Sequence, residues 1–278
     1  MPKFSLDFVQ SGVNQYWFFP IPQPNIYQKI ENLSIPQLAQ ISELDQDNQL
    51  LIVKADRRAS MRFLYQAQAI KIDWANVRLK KSQKAGDFYR DQYVNAFDPK
   101  MQELATKWQN QENDPKKICE IFYEKTLKYL SYGRAIKGLH SYSQALQERV
   151  TDCGGFATFL LTLLETQGIV GRLAVGYLLK NNYQQKIKNI LNLTYHWSDL
   201  TMHAWLELQT VGGSWIPLDP AVDWRYRHGQ SQRFTDFANL PADRLLISYG
   251  HDHQLTYFDQ EYHWPILQQP QLIKVKNA

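Results

Sequence analysis

The stretch from Thr151 to Leu164 leaves this chain the least freedom. Thr151 and Asp152 are good helix N-caps, the apolar run that follows continues to Leu164, and Gly168 supplies a C-terminal stop. Phe156, Phe159, Leu160, Leu161, Leu163 and Leu164 fall on nearly every side of such a helix, which predicts a helix buried at the centre of a domain. Cys153 then lies in its first turn. There the unpaired N–H groups and the positive end of the helix dipole favour thiolate over thiol, and the same N–H groups can stabilise an oxyanion. Gly154 and Gly155 each cost about 1 kcal/mol relative to alanine in a helix, but they leave the backbone bare beside the sulfur, open to a substrate. A cysteine on an apolar helix is by base rate an inert core thiol, so a functional reading requires partners elsewhere in the chain.

With 278 residues, the chain has length for one large domain, or for a main domain and a smaller one. Its two cysteines, Cys119 and Cys153, form no disulfide framework, which fits a reducing compartment. From Met1 to Gly12 there is no apolar run of signal-peptide length, and no later segment reaches the length of a membrane span. The expectation is a soluble, cytoplasmic protein without membrane contact. The net charge of +4 is spread among interspersed acids rather than gathered in a block, which gives no support for nucleic-acid binding. The 16 Tyr and 8 Trp fit a β-rich protein.

Taken in order, the chain opens with short strands at Tyr16 to Phe19, Leu50 to Lys54 and Met61 to Trp74, with a hairpin turn between Asp45 and Asn48. Residues 1–80 therefore read as a small β domain of sandwich type. Residues 81–97 read as a polar linker, and residues 98–278 as a second, larger domain that contains the Cys153 helix. Two helices open at Asp98-Pro99 and Asp114-Pro115 by their N-cap and N1 preferences. Cys119 sits in the apolar stripe of the second and is assigned to packing. From Gly133 to Val150 a long loop is expected to face the substrate. After the Cys153 helix come a buried strand from Gly171 to Leu179 and a polar stretch from Lys180 to Asn189.

The hairpin that follows supplies the partners. His203, Trp205 and Glu207 alternate with Ala204, Leu206 and Leu208; Gly212-Gly213 turns; and Ser214 to Asp219 returns. Direct pairing of His203 with Asp219 would centre the turn at 211 and make them neighbours on one face, unless a bulge alters the register. A cysteine nucleophile needs a base, and the base needs a group that fixes its tautomer. Cys153, His203 and Asp219 fill these roles, while a turn-forming Asp before Pro220 is the plainer reading of Asp219.

This order of motifs resembles the transglutaminase-like superfamily, a papain-related fold. The matching pieces are Asp152-Cys153-Gly154-Gly155-Phe156-Ala157, Gly168-Ile169 with Arg172 and Gly176-Tyr177, His203-Ala204-Trp205-Leu206-Glu207, and Trp215-Ile216-Pro217-Leu218-Asp219-Pro220. The resemblance covers about residues 115–221. More weakly, Trp17 to Trp74, with Gln28 before Ile30, is similar to the β domain that precedes many bacterial members. Residues 242–275 look like terminal strands of the catalytic sheet. Many bacterial members carry an Arg and an Asp shortly after the nucleophile, where this chain has Gly154 and Gly155. The family places an aromatic side chain upstream of the cysteine at the oxyanion, for which Tyr129 and Tyr132 are the counterparts available. Gly154 and Trp205 complete the expected cleft.

The resemblance implies an α+β protein in which a Cys-bearing helix packs on an antiparallel sheet, with a small β-sandwich-like domain before it. It further implies a cysteine peptidase or amidase acting through a thioester on a peptide, protein or small amide, with Cys153, His203 and Asp219 as triad. An acyltransferase that cross-links proteins is the alternative reaction, and a peptide-binding scaffold on the same fold the alternative class. No acidic calcium loop is visible, which favours hydrolysis. No cofactor is expected and no metal either, since His251 and His253 stand two residues apart without further ligands and read as a solvated loop. Trp224 to His228 read as a cleft lining or a polar rim.

Overall fold

The computed structural model describes residues 4–11, 16–37, 39–45, 47–54, 58–136, 138–179, 201–267 and 272–277. The expected polar stretch from Lys180 to Asn189 lies outside them. In chain order the elements are β1 (Phe4–Ser11), β2 (Tyr16–Pro20), β3 (Gln28–Ser34), β4 (Ala39–Glu43), β5 (Gln49–Lys54), β6 (Arg58–Ala67), β7 (Ile70–Lys71), α1 (Pro99–Gln109), α2 (Pro115–Tyr129) and β8 (Ser131–Tyr132). Then follow α3 (Tyr142–Glu148), β9 (Val150–Thr151), α4 (Cys153–Thr166), β10 (Gly171–Leu178), β11 (Thr201–Gln209), β12 (Trp215–Leu218) and α5 (Pro220–Arg227). The last elements are β13 (Asn239–Leu240), β14 (Arg244–Tyr249), β15 (His253–Tyr257), β16 (Gln260–Trp264) and β17 (Leu272–Asn277).

The chain divides into two compact units, Met1–Ile70 with Val175–His203 and Ala242–Ala278, and Lys71–Ala174 with Ala204–Pro241. This differs from the expected boundaries. The 81–97 segment is no linker but part of the second unit, where the amides of Ser82 and Tyr89 bond to the Gly168 carbonyl and the Glu165 carboxylate.

In the first unit, a sheet ordered β17-β1-β6-β3 and another ordered β2-β5-β4 form the expected sandwich. Leu6, Phe8, Met61 and Phe63 from the first meet Trp17, Phe19, Leu51 and Val53 from the second in one buried cluster. The strict alternation along β6, buried at every second residue, is the period-2 pattern of a strand with one wet face. β6 stops at Ala67, short of the predicted Trp74, which instead begins a 3-10 turn. Of the expected terminal strands, β14 joins β10 in the sheet ordered β12-β11-β10-β14, β15 and β16 pair only with each other among the named strands, and β17 pairs with β1. Side-chain amides hold β14. Gln28 accepts from the Leu246 N–H at 2.8 Å and donates to its carbonyl at 3.1 Å. Asn48 treats Tyr249 in the same way, both bonds 2.8 Å. His251 and His253 are buried rather than solvated, at 3% and 0% exposure, and His253 Nδ1 lies 2.9 Å from Asp45 Oδ1.

In the second unit, α4 packs against α1, α2, α3 and α5. Every residue from Gly154 to Glu165 is buried, as the all-round apolar pattern requires. Asp98 and Asp114 cap α1 and α2 with proline at N1. The end of α4 is a Schellman turn: Ile169 N bonds to Leu164 O, Gly168 N bonds to Glu165 O, and Gly168 has φ +75°. On the sheet side, a Cβ at Gly171 would stand 2.5 Å from Leu161 Cδ1 of α4, so only glycine admits the helix this closely. Arg172 forms a buried pair with Glu207, with bonds of 3.0 and 2.9 Å, and its guanidinium lies 3.9 Å from the Trp215 ring centroid. The segment predicted as a long loop contains α3, opened by a capping box between Ser141 and Gln144.

Candidate active site

Cys153 opens α4 and is partly exposed, whereas Cys119 is fully buried on α2 and burial pushes its thiol well above the ordinary range. Asp152 caps the helix. Its Oδ1 accepts from Gly155 N at 3.3 Å and its Oδ2 from Ile136 N at 3.3 Å. His140 Nδ1 stands 2.9 Å from Asp152 Oδ1, close enough for an ion pair when protonated but misaligned as a hydrogen bond. His140 is 2% exposed, and its carbonyl accepts from the Thr158 hydroxyl of α4.

The glycines do not leave the room that was expected. A Cβ at Gly154 would meet Leu139 Cδ1 at 2.9 Å, and one at Gly155 would meet Thr151 Oγ1 at 1.9 Å. These faces are filled by the chain itself, so a side chain at either position would collide with it.

Tyr132 and Tyr129 part company. β8 and β9 pair in parallel with Tyr132 opposite Thr151, and Gly133 N bonds to Thr151 O at 2.8 Å, which sets Tyr132 beside the start of α4. The Tyr132 ring stacks on Phe156 at 6.3 Å, with the Arg225 guanidinium 4.9 Å from its centroid. Its hydroxyl is held protonated well above the usual tyrosine range, first by burial and then by the charges of Cys153, Asp152 and Asp219, with Arg225 opposing them. Tyr129 instead stacks on Phe159 at 5.4 Å and packs edge-on against Trp108, beneath Arg149. It is part of the helical core.

Asp219 is fully buried and caps α5, accepting from Val222 N at 3.1 Å. The Tyr123 hydroxyl reaches its carbonyl at 3.4 Å and Asp223 Oδ2 at 2.9 Å. The ladder between β11 and β12 pairs Leu206 with Leu218 and Gln209 with Trp215. This register centres the turn at 212 rather than 211, so it is the position of Trp205, not of His203, that stands level with Asp219. Trp205 is wholly buried. His203, the third residue of β11, belongs to the first unit and is 2% exposed. Trp224 stacks on the His228 ring at 3.8 Å, and Arg227 is clamped by Asp223 and Glu124, so this run is helix α5 rather than a loose rim.

Residues 102–220 match the family model described as the Transglutaminase-like superfamily. They form a transglutaminase-like core. A solved structure described as a "Putative Cysteine Protease" from Cytophaga hutchinsonii superposes with a TM-score of 0.57 at 16% identity, covering 99% of this chain and 96% of that one. That likeness of fold covers nearly the whole of both chains. The periplasmic domain of TgpA from Pseudomonas aeruginosa gives a TM-score of 0.40 at 12% identity, over 83% of this chain and 91% of that one. Red sea bream transglutaminase gives 0.31 at 11% identity, over 91% and 60%. A comparison with curated proteins finds no match. Among the described residues no helix is long and apolar enough to cross a membrane.

Sequence reasoning missed His140, and reached Arg225 only as a member of the Trp224 to His228 run. The capping box at Ser141 was the available signal for the first, because it fixes a helix directly after His140 and so brings that residue against α4.

Proposed function

We propose that the protein is a cysteine-dependent amide hydrolase with Cys153 as nucleophile, His203 as general base and Asp219 as the group that orients the imidazole. The observation that carries this reading is the placement of Cys153, partly exposed at the capped N-terminus of a buried helix within a transglutaminase-like core. The sulfur attacks the amide carbonyl carbon, and the carbonyl electron pair moves to oxygen. The Cys153 N–H and the protonated Tyr132 hydroxyl stabilise that oxyanion. Collapse expels the amine, which takes its proton from His203 and leaves a thioester. Water, deprotonated by His203, attacks the thioester carbonyl, and the acid departs with Cys153 restored.

The test is a pH series of Cys153 alkylation in wild type and in His203→Ala, with intact mass counting the labels. Rapid labelling well below pH 8 in wild type only is the expected result. Equal slow labelling in both proteins would remove the thiolate on which the mechanism depends. Cys153→Ala is expected to retain its fold and form no thioester.

A further inference from the structure

Helix α5 carries two arginines in its last turn, Arg225 and Arg227, and they are treated differently. Arg227 is held by Glu124 at 2.8 Å and by Asp223 at 2.8 Å. Arg225 has no carboxylate partner among the described residues; its guanidinium lies over the Tyr132 ring, and its buried Nε makes no hydrogen bond. A buried guanidinium N–H left unpaired is costly, and the planar fork of arginine matches a carboxylate better than any other anion receptor a side chain offers. The same Tyr132 is paired with Thr151, two residues before Cys153, and Gly133 N bonds to the Thr151 carbonyl at 2.8 Å. The nucleophile and an arginine in want of an anion therefore flank one tyrosine.

We propose that Arg225 is a specificity residue that binds a carboxylate of the amide substrate, so that the preferred substrates are amides with a free carboxylate close to the bond cleaved. This rests on Cys153 being the nucleophile. The carboxylate engages the terminal nitrogens of Arg225 above Tyr132, and no carboxylate among the described residues competes for them.

Iodoacetate and iodoacetamide differ only in the carboxylate beside the reacting carbon. The experiment measures the rate of Cys153 alkylation by each on the full chain, taking the ratio of the two rates and dividing it by the ratio for glutathione. The expected result is an iodoacetate preference about tenfold above that of glutathione, as one charge-assisted contact allows. It falls to the glutathione value in Arg225→Gln and partway in Arg225→Lys, which keeps the charge but not the fork. A wild-type ratio equal to that of glutathione, or one unchanged in Arg225→Gln, overturns the proposal. Calorimetry on Cys153→Ala with hippurate and hippuramide needs no reactive thiol. Tighter binding of hippurate supports the carboxylate site, and equal or absent binding of the two overturns it. If Cys153 reacts with neither reagent, the nucleophile reading fails while the calorimetry still decides the role of Arg225.

Discussion

His140 Nδ1 and Asp152 Oδ1 stand 2.9 Å apart, at the residue that both precedes Cys153 and caps its helix. Asp152 thus serves three groups: the Gly155 amide, the Ile136 amide and the imidazole. Asp152→Ala is expected to destabilise the fold by about 1–2 kcal/mol, because an N-cap is lost. Asp152→Asn, which caps as well, should cost much less. Urea unfolding of the two variants checks the difference, and equal losses would assign the effect to the charge facing His140.

Gly155→Ala should be among the most damaging single-methyl changes in the chain. The added Cβ would stand 1.9 Å from Thr151 Oγ1 and 2.9 Å from its Cβ, inside β9 and next to the nucleophile. A loss on the order of 3 kcal/mol is expected from such overpacking. Gly86→Ala, where nothing lies within 4 Å of the new carbon, should stay within about 0.5 kcal/mol of wild type.

Cys119 should resist alkylation in the native protein, since it is wholly buried and its thiol is raised by that burial. One label per chain is expected under native conditions and two after unfolding in urea. Two native labels would place Cys119 within reach of solvent.

Glu165 provides a pH test. It is 2% exposed, and burial holds its carboxyl well above the usual range, against the lowering effect of the Tyr89 amide. A raised folded value means that the native state keeps a proton which the unfolded chain releases near pH 4.3. Its stabilising contribution is therefore complete below that pH and declines as pH rises toward the folded value. Glu165→Gln keeps an oxygen for Tyr89 N and removes the titration. The variant should gain stability over wild type at pH 8 but not at pH 4, read from urea midpoints at both.

The helices were legible in the sequence because their signals are local. Asp98-Pro99, Asp114-Pro115 and Asp152 each announce a start by a side chain that bonds to the next turn, and all three cap as expected. The apolar surround of α4 foretold its burial for the same reason. What could not be read was set by distant contacts. The register of β11 on β12 differs by one turn position from the simplest pairing, and nothing in either strand alone distinguishes the two. His251 and His253 are polar in sequence and buried in the fold, and the group that His253 meets, Asp45, lies some two hundred residues away in the chain. Likewise the two tyrosines are equivalent by composition. Only the parallel pairing of Tyr132 with Thr151 separates the one beside Cys153 from the one in the helical core.

The grip of Gln28 and Asn48 on β14 has a consequence for how this protein meets other chains. A strand with vacant backbone donors and acceptors is a template on which a foreign peptide, or a second copy, can polymerise. At Leu246 and Tyr249 those groups are already taken, donor and acceptor alike, by two side chains that imitate a neighbouring peptide. A visiting extended segment would find no vacancy there. Two amide side chains thus act as a built-in stopper against runaway self-association at these positions, without adding a strand to the fold.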